Sequence, residues 1–344
     1  MNKKTLKYFK QVVFLAIGIA LIWFTISNSN ITFDKFWEGA KSMNYWYFGI
    51  SAGFAMLSHY SRALRWKLLI NSTGYDPKTK NVFASVLFMY ASNIAFPRSG
   101  EIARCGTLYK YESIPIPQLL GTVFIERTFD LLTLLFFTGM LFIVQFELIE
   151  KIIFKWDEER KEIAKSTAGA IKEDEAITPL ILLIIIGVII LTAIIVFRKK
   201  IKPILKKIYV KAIELKKGLI SSVKSVMKMK KKLLFLLHTV IIWTGYVAMF
   251  YICFFAFEPT SKLGLAAGLT AFIAGSFGMV APTQGGVGAW QFMVILALTS
   301  LNITQDDAFI WANVAFGVMT ITIAVAGIIS FAVLPIMNKN KKLS

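Results

Sequence analysis

Three charged residues interrupt a long apolar segment of the sequence. Glu126, Arg127 and Asp130 lie within the apolar run from Leu119 to Phe146. In a helix, Glu126 and Asp130 share one face, and Arg127 precedes Asp130 by three residues. A purely structural Arg127–Asp130 pair would leave Glu126 without a cation, and charges this deep in a membrane normally face a bundle interior or a wet cavity. The candidate partners are Arg62, Arg65, Arg98 and Arg104.

A second polar group surrounds a break in another apolar segment. Asn81–Phe96 ends in Pro97-Arg98-Ser99-Gly100-Glu101, and Arg104 follows. The free N–H groups at the start of a helix favour an anion. Because Arg98 and Arg104 flank such a start, we predict that this turn binds a phosphate, with Glu101 beside it.

A similar break occurs near the C-terminus. The apolar segment 262–281 ends at Pro282-Thr283-Gln284-Gly285-Gly286-Val287-Gly288 and resumes at Ala289. The three glycines, Gly285, Gly286 and Gly288, allow the backbone to approach a ligand closely, and Gln291 is the polar residue on the following helix. Interrupted segments in corresponding positions of two halves point to a transporter site. Proline and glycine are common in membrane helices, so a chance match is the alternative.

The sequence Arg62-Ala63-Leu64-Arg65-Trp66 follows the second apolar segment. Its two arginines and the tryptophan share a helical face, and they have two interpretations. They are either anchors that snorkel to the membrane surface, or contacts for a lipid headgroup, since guanidinium groups suit phosphate oxygens. His59, His238, Cys105 and Cys253 are scattered, so we predict no metal site, no catalytic residue and no cofactor.

These residues must be positioned by membrane-spanning helices. The chain has 344 residues, of which 56% are apolar, against about 45–50% in soluble domains. Its apolar runs approach the ~20 residues that a helix needs to cross hydrocarbon. We predict an all-α, polytopic transmembrane bundle, as one integral membrane domain over residues 1–344. Its six spans are Val12–Ser27, Tyr45–Ser61, Leu119–Phe146, Leu180–Phe197, Leu233–Phe257 and Ala308–Leu334.

Positive charge is concentrated in one stretch of the chain. The net charge is +19, and fourteen Lys or Arg residues but only one acidic residue, Glu214, lie between Arg198 and Lys232. Apolar residues recur at helical spacing there. We predict an amphipathic helix over 198–232 on the cytoplasmic membrane surface, in contact with anionic lipid headgroups. A nucleic-acid partner is the less favoured interpretation.

The positive-inside rule then sets the topology. Both termini are predicted to be cytoplasmic, with a first half over 1–146, an acidic external loop over 147–177 and a second half over 178–344. This threading requires residues 81–112 to form a re-entrant hairpin from the cytoplasm. The broken element 262–301 enters from outside. The two halves would form an inverted repeat.

The order of these motifs resembles the lysylphosphatidylglycerol synthase transmembrane-region family, also described as flippase-like integral membrane proteins. The matching stretches are Arg62–Trp66, Asn93–Arg104, Glu126–Leu132 and Pro282–Gly288. The resemblance covers nearly the whole chain. It implies a bacterial cytoplasmic-membrane protein that translocates lipids such as lysyl-phosphatidylglycerol, with the two broken elements lining the pathway.

Two features depart from that family pattern. The family's glycine-rich motif usually continues to a glutamate, where this sequence has Ala289-Trp290-Gln291. A headgroup amine would therefore lack the carboxylate that it pairs with. Full synthases also carry a soluble aminoacyl-transfer domain, which does not follow in these 344 residues, so we expect no synthase activity from the chain by itself.

The leading functional prediction is a flippase-like transporter and not an enzyme. It would move an anionic phospholipid, an aminoacylated lipid or a lipid-linked precursor, and movement would be passive or ion-coupled because no nucleotide motif occurs. Arg98, Arg104 and Arg127 would meet the headgroup, and Gly285–Gly288 with Gln291 would guide it on the outer side. The alternatives are a non-transporting or regulatory subunit and a lipid transferase with Glu126 or Asp130 as base. A homo-oligomer or a separate synthase is a further possible partner.

Overall fold

The computed structural model describes residues 31–96, 99–144, 210, 213, 214, 217–281 and 283–339. These segments form helices joined by turns and contain no strand, as predicted for an all-α protein. The earlier helices are α1 (Phe33–Ser42), α2 (Tyr45–Asn71), α3 (Thr79–Ala95), α4 (Gly100–Glu112) and α5 (Ile116–Val144). The later ones are α6 (Lys232–Ile252), α7 (Glu258–Ser261), α8 (Leu265–Val280), α9 (Ala289–Ser300) and α10 (Gln305–Met337).

Side-chain caps fix where several helices begin. Thr32 accepts a hydrogen bond from the Lys35 N–H at the start of α1, and Asn44 accepts from Trp46 N–H at the start of α2. Thr304 caps α10 in the same way. Such caps satisfy N–H groups that have no partner within the helix. Helix α2 continues ten residues beyond the predicted span end at Ser61, because the arginines that follow are buried and paired rather than exposed at a membrane surface.

Helices α3 and α4 form a hairpin around the first predicted break. The Glu112 carboxylate at the end of α4 accepts hydrogen bonds from the Lys78 N–H and the Asn81 side chain at the start of α3. The two open ends of the hairpin therefore lie together. At its tip, Gly100 N–H donates to the Asn93 side chain at 2.8 Å. The hairpin predicted over 81–112 has this returning path, although Pro97 and Arg98 themselves lie outside the described residues.

Helices α8 and α9 form a second hairpin around the glycine-rich break. Gly278 and Gly275 of α8 pack directly against Trp290 of α9. The turn between the helices contains positive φ values at Gly285, Gly286 and Gly288, of 58°, 88° and 79°. Glycine adopts this left-handed region without steric cost.

The tips of the two hairpins meet inside the bundle. A Cβ placed on Gly285 would lie 3.7 Å from the Cα atom of Ile94, so the turn of the second hairpin touches the end of α3. Both hairpins are shorter than a full bilayer crossing, since 17 and 16 residues of α3 and α8 extend about 25 Å. The break predicted within 262–301 lies at this contact, while Pro282 lies outside the described residues.

The helices bury two apolar clusters. One is aromatic and joins α6 to α8, α9 and α10, with Phe254 and Trp311 rings 4.7 Å apart and the Trp311 indole N–H donating to the Cys253 carbonyl. The other joins α2, α3, α4 and α5 around Trp66 and Leu108. Packing of this kind fixes the helices that carry the polar residues described below.

The outer surface of the bundle is apolar. Helices α5, α6 and α10 present large apolar side chains outward, among them Phe136, Ile143, Leu233, Val240, Ile321 and Ile328. Two helices among the described residues are long and apolar enough to cross a membrane, Lys232–Ala256 and Gln305–Met337. Helices α8 and α9 are apolar but shorter. The side chains on the outside of these helices are apolar, whereas the charged side chains lie in the interior. This distribution suits a protein that is surrounded by hydrocarbon.

Several predicted segments lie outside the described residues. They are the spans Val12–Ser27 and Leu180–Phe197, the external loop 147–177 and most of the basic segment 198–232. In that basic segment, residues 217–228 are helical. Helices α1 to α10 belong to one compact unit. The single-domain assignment over 1–344 stays a prediction.

A close approach between α10 and α3 gives a stability prediction. A Cβ on Gly327 would lie 2.5 Å from the Ala91 Cβ and 2.7 Å from the Leu87 carbonyl oxygen. Gly327→Ala should therefore lower the free energy of unfolding by about 1–3 kcal/mol, as overpacking does. Gly317→Ala in the same helix meets nothing within 4 Å and is the matched control, expected to be neutral or stabilising. Equal melting temperatures of the two variants in detergent would contradict this packing.

Candidate functional site

Seven charged side chains from α2, α4 and α5 converge in the bundle interior. We refer to them as the charge cluster: Arg62, Arg65, Glu101, Arg104, Glu126, Arg127 and Asp130. Spacings of three or four residues place each helix's contributors on one face. The cluster includes every arginine among the described residues, a residue type suited to buried ion pairs because its charge is spread over a planar fork.

Asp130 joins α5 to α2. Its carboxylate accepts from Arg65 at 2.6 Å and from Arg62 at 3.0 Å, and Arg127 approaches it at 3.3 Å. Arg65 also donates to the Thr239 hydroxyl of α6. The predicted Arg127–Asp130 pair is therefore present, but it is the longest of three contacts that Asp130 makes.

Glu126 is completely buried and joins α5 to α4. Arg104 donates to it at 2.9 Å, and Arg65 and Arg62 lie 3.5 and 3.6 Å away. The Arg104 guanidinium also lies over the Trp66 ring, 4.3 Å from its centre. The expected second cation for Glu126 is thus supplied by three arginines.

Trp66 packs behind the arginines of the charge cluster. Its indole N–H donates to the Thr122 hydroxyl at 2.9 Å, and its side chain is fully buried. Arg62 and Arg65 are 4% and 0% exposed. The snorkelling interpretation does not describe these side chains, because they turn inward to carboxylates instead of outward to a surface.

Glu101 and Arg127 form the more open part of the charge cluster. The Glu101 carboxylate bridges Arg127 at 2.6 Å and Arg104 at 2.7 Å. The Glu101 and Arg127 side chains are 30% and 39% exposed, in contrast to the fully buried Arg104 and Glu126. This pair connects the first hairpin to α5.

A cavity of about 590 Å³ opens beside the charge cluster. Arg62, Glu101, Arg127 and Asp130 line its charged end. Apolar side chains and the tips of both hairpins line the rest, including Met56, Leu134, Trp243, Phe272, Gly285 and Trp290. The cavity is therefore amphipathic, with ionic groups at one end and aromatic and aliphatic walls elsewhere.

The chain is similar to one family of known proteins over most of its length. The profile of the lysylphosphatidylglycerol synthase TM region family matches residues 11–327. The chain belongs to this family. The match confirms the resemblance seen in the sequence and establishes a membrane domain. No match was found among curated proteins or among solved structures.

The glycine-rich motif of this family member contributes unequally to the cavity. Gly285 lines it, whereas Gly286 and Gly288 do not. Gln291, predicted to face the pathway, is buried and its side-chain oxygen accepts the Gly288 N–H at 2.9 Å. Gln291 therefore caps α9 and stabilises the turn instead of lining the cavity.

Three further polar side chains, which the sequence did not predict as site residues, lie at the cavity. His59, Tyr90 and Tyr246 line the cavity beside Arg62. The His59 and Tyr90 rings lie 4.4 Å apart, and the two tyrosine hydroxyls are 3.0 Å apart. Nδ1 of His59 is buried and has no hydrogen-bond partner among the described residues. By contrast, Nδ1 of His238 lies 2.8 Å from the Ser61 hydroxyl.

The other sequence candidates among the described residues do not line the cavity. Arg65, Trp66, Arg104 and Glu126 lie behind its wall. Gly100 is buried against Met89 and Asn93 at the hairpin tip. Among the described residues, no group of three or more His, Cys, Asp or Glu side chains is placed to hold a metal ion.

Removing a carboxylate shared by several arginines should be costly. Asp130→Asn keeps the side-chain shape but leaves buried guanidinium groups without their counter-ion, so we expect a loss of about 3–5 kcal/mol in the free energy of unfolding. Asp76→Asn is the control, because Asp76 is 73% exposed and pairs with Lys67 at 3.1 Å. An exposed pair contributes less than about 1 kcal/mol. Thermal unfolding in detergent measures the stability of both variants. Similar changes in melting temperature would show that Asp130 is not essential to the stability of the cluster.

Proposed function

We propose that this membrane protein moves a lipid between the two leaflets of the bilayer. The cargo is an anionic phospholipid, an aminoacylated lipid or a lipid-linked precursor. The observation that carries the proposal is the amphipathic cavity. A molecule with a charged headgroup and apolar chains matches both ends of that cavity at once.

The energetic cost of the charge cluster supports a role beyond packing. Ionised side chains inside a membrane are expensive and are kept mainly where they face a bundle interior or a polar pathway. Replacing a buried ion network with apolar residues is often neutral or stabilising, so stability alone does not require seven charges. Four of the seven also line the cavity.

The two hairpins support a transport pathway rather than a static pocket. Backbone that is not helical within hydrocarbon is tolerated where it is buried in protein or lines a cavity. Here the broken elements meet at Gly285 and Ile94, and residues of both line the same space. Discontinuous helices at the centre of a bundle are typical of secondary transporters.

The proposed topology has six spans and two re-entrant hairpins that enter from opposite faces as an inverted repeat. Both termini are cytoplasmic, and the membrane is the bacterial cytoplasmic membrane. The support is the basic stretch between Arg198 and Lys232 together with the positive-inside rule. The short lengths of α3, α4, α8 and α9 fit hairpins better than complete crossings.

We propose a transporter rather than an enzyme, with membrane lipids as its partners and no nucleic acid. Glu126 is fully buried behind the cavity wall and ion-paired, which argues against its use as a base for a transferase. Asp130 is held by Arg62 and Arg65 at short distance. Asp130 is therefore engaged by the protein itself and is not free to act on a substrate.

A bulky substitution in the cavity wall tests transport directly. Ala55 of α2 lines the cavity, and Leu57, two residues later, is 56% exposed on the outer surface. Ala55→Trp should reduce the rate of fluorescent-lipid translocation in proteoliposomes at least about tenfold, because the indole occupies the pathway that a bound lipid must use. Leu57→Trp, the matched control, should translocate at the wild-type rate.

The wild-type protein provides the reference for this comparison. Translocation by both variants at the wild-type rate would contradict the cavity as the pathway. A wild-type protein that moves none of phosphatidylglycerol, lysyl-phosphatidylglycerol and a polyprenyl phosphate would favour a regulatory subunit instead. Product formed from a labelled lipid and a donor would favour a transferase.

A further inference from the structure

Among the described residues, the charge cluster contains one more cation than anions. Its four guanidinium groups, from Arg62, Arg65, Arg104 and Arg127, face three carboxylates, from Glu101, Glu126 and Asp130. We infer that the missing anion is the phosphate of a headgroup without an ammonium group, and that this phosphate displaces Glu101 from Arg127. The inference rests on the proposed function only in taking a lipid as the ligand.

Arg127 is the arginine whose positive charge is least neutralised by the three carboxylates. Asp130 makes its shorter contacts with Arg65 and Arg62, at 2.6 and 3.0 Å, and reaches Arg127 only at 3.3 Å. Glu126 makes its shortest contact with Arg104. The close partner left for Arg127 is Glu101, which it shares with Arg104. Arg127 is also the most exposed of the four arginines and lines the cavity.

Glu101 occupies the place that a phosphate would take. Its carboxylate lies 2.6 Å from the Arg127 guanidinium at the cavity wall, and 2.7 Å from Arg104 behind it. A phosphate can present two oxygens and a full negative charge to the same guanidinium group. When it binds Arg127, Glu101 keeps Arg104 as its counter-ion, so no carboxylate is left unpaired. The headgroup and Glu101 therefore compete for one guanidinium.

This exchange connects the ligand to the first hairpin. Glu101 belongs to α4, whereas Arg127 belongs to α5. The Glu101–Arg127 contact therefore joins the tip of the first hairpin to α5. A headgroup that replaces Glu101 releases this contact at the side of the cavity.

Among the described residues, no carboxylate that lines the cavity is free to pair with an ammonium group. The lining carboxylates are Glu101 and Asp130, and both are already engaged with arginines. The turn at the far end contributes Gly285, and the neutral Gln291 is turned away to cap Gly288. A bound phosphate already neutralises the charge cluster, so an added ammonium group would need a carboxylate of its own, and an unpaired ionised group inside the bundle is costly.

Equilibrium binding to the full chain in detergent tests this. The probes are dioctanoyl phosphatidylglycerol, its lysyl ester, dioctanoyl phosphatidylcholine and inorganic phosphate, with Kd values from isothermal titration calorimetry. Phosphatidylglycerol should bind at least about tenfold more tightly than the lysyl ester or phosphatidylcholine, a ratio expected for one charge-assisted contact. Inorganic phosphate should bind more weakly, because it makes no contact with the apolar walls.

Variants of the competing pair give the decisive comparison. Glu101→Gln should tighten phosphatidylglycerol binding several-fold, because the internal competitor is gone, and Arg127→Gln should weaken it about tenfold. Glu258→Gln removes a carboxylate from a pair that is 80% and 88% exposed and should change nothing. If Arg127→Gln does not fold, the direction of the Glu101→Gln effect decides alone.

Several outcomes would overturn the inference. Equal affinity for phosphatidylglycerol and its lysyl ester would remove the charge selectivity. Weaker binding by Glu101→Gln would make Glu101 a ligand contact rather than a competitor, and inorganic phosphate binding as tightly as the lipid would identify a free-anion site. Selective binding without any translocation in proteoliposomes would instead contradict the proposed function and leave the headgroup assignment standing.

Discussion

The arrangement of this protein depends on neutralising charge inside an apolar bundle. A single unpaired arginine or carboxylate in hydrocarbon is costly, and the cost falls only when counter-ions meet at hydrogen-bond distance. Asp130 and Glu126 each contact three arginines, and these contacts fix the positions of α2, α4 and α5 relative to one another. The same constraint leaves Arg127 with an open side, because three carboxylates cannot fully neutralise four guanidinium groups.

The backbone of the two hairpins is subject to a related constraint. Each break exposes peptide groups that water cannot reach in a membrane, so the turns must find partners within the protein. Asn93 accepts the Gly100 N–H in the first turn, and Gln291 accepts the Gly288 N–H in the second. With both tips stabilised in the interior, the space between them becomes the cavity. The ion network and the capped turns together explain why a polar space persists inside an apolar bundle.

Much of this arrangement could be predicted from the sequence. Charges within Leu119–Phe146 demanded buried partners, and proline with glycine marked both breaks. The pairing itself could not be predicted, because it depends on helix rotation: Arg65 turned toward Asp130 and not toward a surface. The role of Gln291 could not be predicted, because a residue that caps a helix and a residue that lines a cavity look alike in sequence. Tyr90 and Tyr246 were missed because aromatic residues in apolar segments resemble ordinary core.

Photo-cross-linking is the most direct test that the cavity holds a lipid. A phosphatidylglycerol analogue with a diazirine near its glycerol would be activated in proteoliposomes and its adducts mapped by mass spectrometry, with and without excess unlabelled lipid. The account predicts adducts at cavity residues such as Met56, Met279 and Trp290 that unlabelled lipid suppresses. Adducts confined to the outer surface, at residues such as Phe136 and Ile328, would contradict it.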